Sequence, residues 1–439
     1  MTPMQNRLIG VLSVVATIVV LVAGGSGSSL DAKVAAALAK QRTHDVAGPT
    51  GAVASASDSS DFDEGDDVQT LDTDTGESAG GVVGATGGEE VAADDGDSGA
   101  VAPPTEVEPQ PTKIEHVFTI ALAGHGFDAA FGPQSVAPYL SKELVPQGTL
   151  LTEYHSLGSA DLPDHLAAIG GQPPNDDTRA GCPTYKEIAL TAAPTKTGEI
   201  AGPGCVFPNT VTTIGDQLSS SRREWRGYIE DLEKGPDGKQ TCRRPASNAI
   251  DDTGKARPGD GYATRRNPFV YFHSLLDLGD CDALNGPLDR LETDLAAVKT
   301  TPNYAYIAPN LCNSGAEAPC VDGTPGGLAA ADAFLAKWVP KILASPAYKA
   351  DGLLIVTFAG GPAGQSPAAG TTDGVRNGTL LLSRFADAGA TVASPYDPYS
   401  LLRSVQDLFA LKPLARSNSA SSFADTVLAD AFVTPPSDD

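Results

Sequence analysis

The segment Gly352–Phe358 (GLLIVTF) sets the strongest constraint on what this chain folds into, because it runs without a charge or an alternating polar face. A strand with one wet face alternates apolar and polar residues, whereas a strand covered on both faces reads as a continuous apolar run. Val117–Leu122 has the same character and Tyr304–Ala308 is a shorter version. Thr149–Tyr154, Trp225–Tyr228, Gly378–Leu382 and Ala390–Val392 are read as further strands. Helical spacing falls between them, over Ser135–Leu144, Ile214–Leu218, Pro287–Val298, Gly327–Leu343 (with Pro340 kinking it) and Tyr399–Phe409. Asp161–Ile169 carries a start signal of its own, with Asp161 as N-cap, Pro163 in the first turn and Asp164 three residues after the cap. Helices alternating with doubly covered strands predict an α/β fold: a mixed, mostly parallel sheet with helices on both faces.

That fold occupies only part of the 439 residues. Residues 1–7 hold Arg7 and read as a cytoplasmic N-terminus. Residues 8–25 contain the apolar run LIGVLSVVATIVVLVA, of a length between a signal-peptide core and a short membrane helix. A retained transmembrane signal anchor and a cleaved signal peptide both fit, and both place the rest of the chain outside the cytoplasm. The first gives a cell-membrane protein with an extracytoplasmic domain and the membrane as partner; the second gives a secreted one. After a juxtamembrane stretch over 26–44, residues 45–112 form an acidic Gly/Ala/Pro linker with no Lys or Arg. Such a composition buries too little apolar surface to offset the entropy of ordering, so disorder is expected there. The folded domain is expected over 113–432, with 433–439 as a tail.

The net charge of −25 and the absence of a basic patch exclude nucleic acid as a partner. All six cysteines lie in the expected domain: Cys182, Cys205, Cys242, Cys281, Cys312 and Cys320. An even count downstream of an export signal reads as disulfides, and without a CxxC pair a zinc site is the weaker reading.

The framework text resembles the phosphoesterase family, which includes bacterial phospholipases C and acid phosphatases. It is carried by HVFTI at His116–Ile120, GFDAAFG at Gly126–Gly132, GGQPPN at Gly170–Asn175 and GCPTY at Gly181–Tyr185. WRGYIED at Trp225–Asp231, NPFVYFHS at Asn267–Ser274, PNLC at Pro309–Cys312, GGLAAADAFL at Gly326–Leu335 and YSLLRSVQDLF at Tyr399–Phe409 extend it over nearly the whole domain. The resemblance implies the three-layer sandwich of the alkaline phosphatases. With sequence order, it favours pairing Cys182 with Cys205, Cys242 with Cys281 and Cys312 with Cys320.

The positions that carry chemistry in active relatives are changed. Where those relatives have Glu-Asn after the first strand, this chain has Ala123-Gly124. A methyl group and a hydrogen supply no oxygen to a metal ion. The nucleophile segment has become Gly158-Ser159-Ala160-Asp161, with Asp161 at the hydroxyl position and Ser159 two residues before it. Glu317 alone remains of an acidic run after Cys312; Ala359-Gly360 stands where an Asp-Glu pair ends the strand Gly352–Phe358; Pro398 replaces a His. His125 and His165 are candidate ligand contacts, His273 reads as a core histidine, the Gly-rich run Ala359–Gly374 as a loop, and Asn377-Gly378-Thr379 as a glycosylation sequon.

The expectation is therefore an exported, membrane-tethered, catalytically degenerate phosphoesterase-like domain. It would bind or scaffold at the cell envelope, with a phosphorylated glycan or lipid as the ligand class and no cofactor. The alternatives are an active phosphate-ester hydrolase with a rearranged site, which would need a divalent metal, and a structural envelope protein.

Overall fold

The computed structural model describes residues 112–433, apart from 234–238, 240 and 363–373. These belong to the second of two units, Glu106–Asp439. The expected anchor, juxtamembrane stretch and acidic linker up to residue 111 lie outside the described residues, as do 434–439 of the tail and most of the Gly-rich run. Among the described residues no helix is long and apolar enough to cross a membrane.

The doubly apolar strands behave as their composition dictates. β1 (His116–Ala123) and the later Gly352–Ala359 are buried at every position. Alternate side chains go to opposite layers: on β1, Val117 and Ala121 join one core, and Phe118, Ile120 and Leu122 join the other. Each Leu, Ile, Val or Phe so buried contributes about 2 kcal/mol. The remaining strands of this sheet are β2 (Thr149–Leu151), β4 (Trp225–Ile229), β6 (Asn285–Pro287), β7 (Tyr304–Ala308), β8 (Gly352–Ala359), β9 (Thr379–Ser383) and β10 (Thr391–Val392). A separate two-stranded ribbon pairs β3 (Thr184–Tyr185) with β5 (Ala249–Ile250). The main sheet has the order β10-β2-β9-β8-β1-β7-β4-β6, and only β9 runs antiparallel to its neighbours.

α1 (Leu162–Gly170) and α2 (Ile214–Ser220) cover one face of the sheet, and α3 (Gly327–Ala344) covers the other. α4 (Pro398–Leu408) returns to the first face, where Leu401, Leu402 and Val405 share a core with Leu162 and Leu166. This is the three-layer α/β sandwich that the residues and the resemblance lead one to expect. The disulfides join Cys182 to Cys205, Cys242 to Cys281 and Cys312 to Cys320, with Cα separations of 6.0, 5.6 and 5.2 Å.

Local differences have local causes. The helix expected over Ser135–Leu144 begins only at Tyr139, because the Asp332 carboxylate of α3 accepts the amides of Tyr139 (3.1 Å) and Leu140 (2.8 Å) and fixes the start there. The helix expected over Pro287–Val298 shrinks to Arg290–Asp294, and the hydroxyls of Thr300 and Thr301 each donate to the Asp294 carbonyl at 2.9 Å. The apolar NPFVYFH segment is a buried 3-10 turn, Pro268–Tyr271.

Candidate functional site

In an open α/β sheet, ligands gather outside the carboxyl ends of the strands. β1 and β8 reach that edge together, paired residue for residue up to Ala123 opposite Ala359. The next residues close on one another. The Gly124 amide donates to the Ala359 carbonyl at 2.8 Å, and a Cβ on Gly124 would lie 2.0 Å from the Gly360 carbonyl oxygen. Gly360 has φ +75°, and a Cβ there would sit 2.7 Å from the Ser159 carbonyl oxygen and 2.9 Å from the Asp161 nitrogen, at the start of α1. Its own amide donates to Asp164 Oδ2 at 2.7 Å, and its carbonyl accepts Asn377 Nδ2 at 2.5 Å. Strand ends and helix start are thus packed backbone to backbone, with glycine at the two positions where any side chain would intrude. Asn377 is wholly buried in holding this contact, so the sequon at that position is no glycan acceptor on the folded chain.

Asp161 stands at the head of α1 but does not cap it. Its backbone is already helical (φ −78°, ψ −35°) and its side chain makes no capping hydrogen bond. The expected N-cap role is corrected by a stronger pair of partners. Arg265 Nε donates to both carboxylate oxygens, at 3.1 and 3.2 Å, and Arg266 Nη1 donates to Oδ2 at 3.3 Å. Both arginines come from the short turn Thr264–Arg266. Arg266 is 1% exposed; its Nε donates to the Pro309 carbonyl (3.0 Å) and its Nη2 to the Ala121 carbonyl of β1 (2.6 Å). Burial pushes the Asp161 carboxyl up, but the guanidinium groups of Arg265 and Arg266 outweigh it and hold the group below its ordinary range. Neither arginine was anticipated in the sequence, where the only sign was a doubled cation directly before a buried apolar run.

The neighbouring groups are internal. Asp164 accepts the Leu157 and Gly360 amides, each at 2.7 Å; burial raises its carboxyl well above the usual range against the pull of those two amides. His165 is 1% exposed, with Nδ1 2.5 Å from the Tyr306 hydroxyl. Burial, reinforced by the Arg266 charge, lowers its pKa to about 3, so the imidazole is neutral. It faces a void of only about 10 Å³, room for one water. That places His165 in the core beneath the strand ends and not on an open wall.

The sign of the resulting pH dependence is definite. His165 takes its proton at about pH 3 when folded but near 6.5 when unfolded, so the unfolded chain binds more protons in between and stability falls with acidification. Going from pH 7 to pH 5 should cost the wild type about 2 kcal/mol that His165→Gln does not lose. Urea denaturation of both proteins at the two pH values reads this directly; equal losses in the two proteins would rule it out.

The other candidates are dispersed. His125 packs over Gly315, where a Cβ would meet its Nε2 at 2.4 Å, and burial lowers its pKa. Glu317 Oε1 accepts the Ala256 amide at 2.9 Å, and Ser159 is exposed. His273 is not a core residue: it is partly exposed and bridges Glu187 (2.9 Å) and Asp277 (2.8 Å). It lines a depression of about 610 Å³ with Tyr185, Arg243 and Arg244, which none of the strand-end residues enters. Two further carboxylates escaped the sequence reading, Glu230 and Asp231 at the carboxyl end of β4. Glu230 accepts the Asn310 amide (3.0 Å) and Asn313 Nδ2 (2.8 Å), and Asp231 accepts the Gly261 amide (2.9 Å) and Asn310 Nδ2 (2.8 Å), so both serve to fix loops.

A family likeness takes in the start of α1, the arginine turn and the end of β8, and begins beyond the end of β1. The profile described as the Phosphoesterase family matches residues 129–412, more than half of the chain. The chain belongs to the phosphoesterase family. A curated acid phosphatase from Aspergillus fumigatus is 22% identical over 217 residues, covering 49% of this chain and 39% of that protein, so the match spans well under half of that relative's length. Among solved structures, the lipoteichoic acid synthase LtaP from Listeria monocytogenes is 9% identical, with 71% of this chain and 77% of that one covered at a TM-score of 0.42. A protein of the alkaline phosphatase superfamily from Vibrio parahaemolyticus is 14% identical, with 71% and 73% covered at a TM-score of 0.40.

The family likeness implies a divalent-metal cluster at these strand ends, and the residues present do not fit one. Ala123 and Ala359 offer methyl groups, Gly124 and Gly360 offer backbone already in mutual contact, and both Asp161 oxygens face guanidinium groups. Among the described residues, no group of three or more His, Cys, Asp or Glu is arranged to hold a metal ion.

Proposed function

We infer that this protein is a non-hydrolytic member of the phosphoesterase family, exported and held at the membrane by its N-terminal segment, where it binds or scaffolds at the cell envelope. The observation that carries this reading is the state of Asp161. A carboxylate nucleophile needs an unencumbered lone pair directed at phosphorus and nearby positive charge left over for the phosphate. Asp161 has Arg265 and Arg266 bonded to it, which both neutralises its charge and uses up the cations. The closed contact of Gly124, Gly360 and the start of α1 supports the same reading, since it leaves no gap between strand ends and nucleophile position. Export and tethering are supported by the apolar run behind Arg7 and by the acidic stretch without Lys or Arg. The ligand class suggested by the family likeness is a phosphorylated glycan or lipid, whose phosphate would have to compete with Asp161 for the two guanidinium groups.

The test is an assay of the full chain on aryl phosphate mono- and diesters with Mg²⁺, Mn²⁺, Zn²⁺ or Ca²⁺, paired with elemental analysis. The expected result is turnover no higher than that of Asp161→Ala and no stoichiometric metal. Metal-dependent turnover that disappears in Asp161→Ala would overturn the reading in favour of a working hydrolase.

A further inference from the structure

Two guanidinium groups converging on one carboxylate make an anion site that is already filled. The cations are part of the scaffold. Arg266 keeps its orientation through the carbonyls of Pro309 and Ala121 at 3.0 and 2.6 Å, and Arg265 Nη1 reaches the Gly254 carbonyl at 3.3 Å. None of these three bonds involves Asp161, so the two N–H donors that face the carboxylate stay in place without it. Each arginine presents one N–H donor to this point, Nε of Arg265 and Nη1 of Arg266, and such charge-assisted donors bind phosphate and sulfate oxygens as they bind a carboxylate.

We propose that Asp161 is a built-in anion that closes this cleft to phosphate and sulfate groups, and that Arg265 and Arg266 take up such an oxyanion when the carboxylate is removed. The proposal rests on the non-hydrolytic reading and sharpens it. A ligand of the wild-type domain is then not recognised at this point through a phosphate or sulfate group, because its place is taken from within. The physical requirement is plain: a buried guanidinium deprived of its partner is an uncompensated charge, and an incoming anion that restores compensation binds the folded state alone and stabilises it.

The experiment compares the full-length wild type with Asp161→Ala and Asp161→Asn in sodium phosphate, sodium sulfate and sodium chloride at equal ionic strength. It measures thermal midpoints, and binding of inorganic phosphate by calorimetry. The variants are expected to melt below the wild type in chloride, to regain much of that loss in phosphate or sulfate, and to bind phosphate about tenfold or more tighter than the wild type does. Wild-type melting gives the general stabilisation that phosphate and sulfate exert on any folded chain, and the gain of the variants is counted over it. The proposal fails if the wild type binds phosphate as tightly as the variants, or if the variants show no preference for the tetrahedral anions over chloride. It also fails if neither variant folds even in phosphate, since the anion must be able to replace the carboxylate. Wild-type turnover in the ester assay would remove the functional reading without deciding this one, which is read from anion binding by the variants.

Discussion

Arg266→Met is expected to destabilise the domain by about 4 kcal/mol, because it removes one member of a buried ion pair and leaves the rest in place. The side chain is 1% exposed and satisfies three acceptors from three parts of the fold: the Ala121 carbonyl of β1, the Pro309 carbonyl beyond β7, and the Asp161 carboxylate at the head of α1. Methionine fills a similar volume and donates to none of them. Both tryptophans, Trp225 and Trp338, are buried in the domain, so fluorescence during urea or thermal unfolding reports on this unit. For a domain of this size the loss corresponds to a fall in Tm on the order of 10 °C. Arg265→Met should cost much less, since its side chain is 21% exposed and Arg266 would still neutralise Asp161. Adding Asp161→Asn to Arg266→Met should recover part of the loss, because the stranded carboxylate is then neutral. A stability of Arg266→Met within 1 kcal/mol of the wild type would mean that this arginine does not hold strand, loop and helix together.

How far the sequence alone reaches depends on how local each signal is. The runs around Val117 and Leu354 carry no charge and no alternating polar face, the mark of a strand between two layers, so β1, β7 and β8 are legible almost to the residue. That Ala123 and Ala359 supply no side-chain oxygen to a metal is legible for a simpler reason, since alanine has none wherever it is placed. That the two alanines are cross-strand partners needs the sheet register. Asp161 reads as a helix cap because its local sequence, with Pro163 and Asp164, is a good start signal. Its actual partners come from residues 265 and 266, more than a hundred positions away, and no local rule reaches that far. His273 reads as a core residue for a related reason. Its flanking FVYF is buried, but the histidine itself lies where that segment surfaces, between the carboxylate of Asp277, four residues on, and that of Glu187 from a distant segment. Side chains whose role is set by long-range pairing are the part that composition and spacing do not contain.

Gly124→Asn, which would place at this position the amide side chain that the family resemblance implies, is expected to destabilise the domain by about 3 kcal/mol and to bring neither metal binding nor turnover. The obstacle is the first carbon of the side chain. A Cβ would stand 2.0 Å from the Gly360 carbonyl oxygen and 2.4 Å from its carbon, and those are backbone atoms that cannot rotate away. Gly360 is pinned from three sides, by Asp164 on its amide, by Asn377 on its carbonyl and by the bond of Gly361 to the Ser159 carbonyl at 3.0 Å. Relief therefore requires the ends of β1 and β8 to part or α1 to shift. Since the clash begins at Cβ, Gly124→Ala should lose nearly as much as Gly124→Asn, while Gly254→Ala, whose Cβ meets nothing within 4 Å, should stay within about 0.5 kcal/mol of the wild type. Chemical denaturation of the three variants separates these outcomes. A Gly124→Ala protein as stable as the wild type would show that the closed contact yields readily, and the cleft would then have to be regarded as able to open. If the loss is as large as the geometry demands, the donors are not merely missing from an otherwise intact metal site. Backbone then occupies the space that such side chains would need, and point substitutions that add donors cannot build a metal site there without first reopening the contact between the two strand ends and the helix.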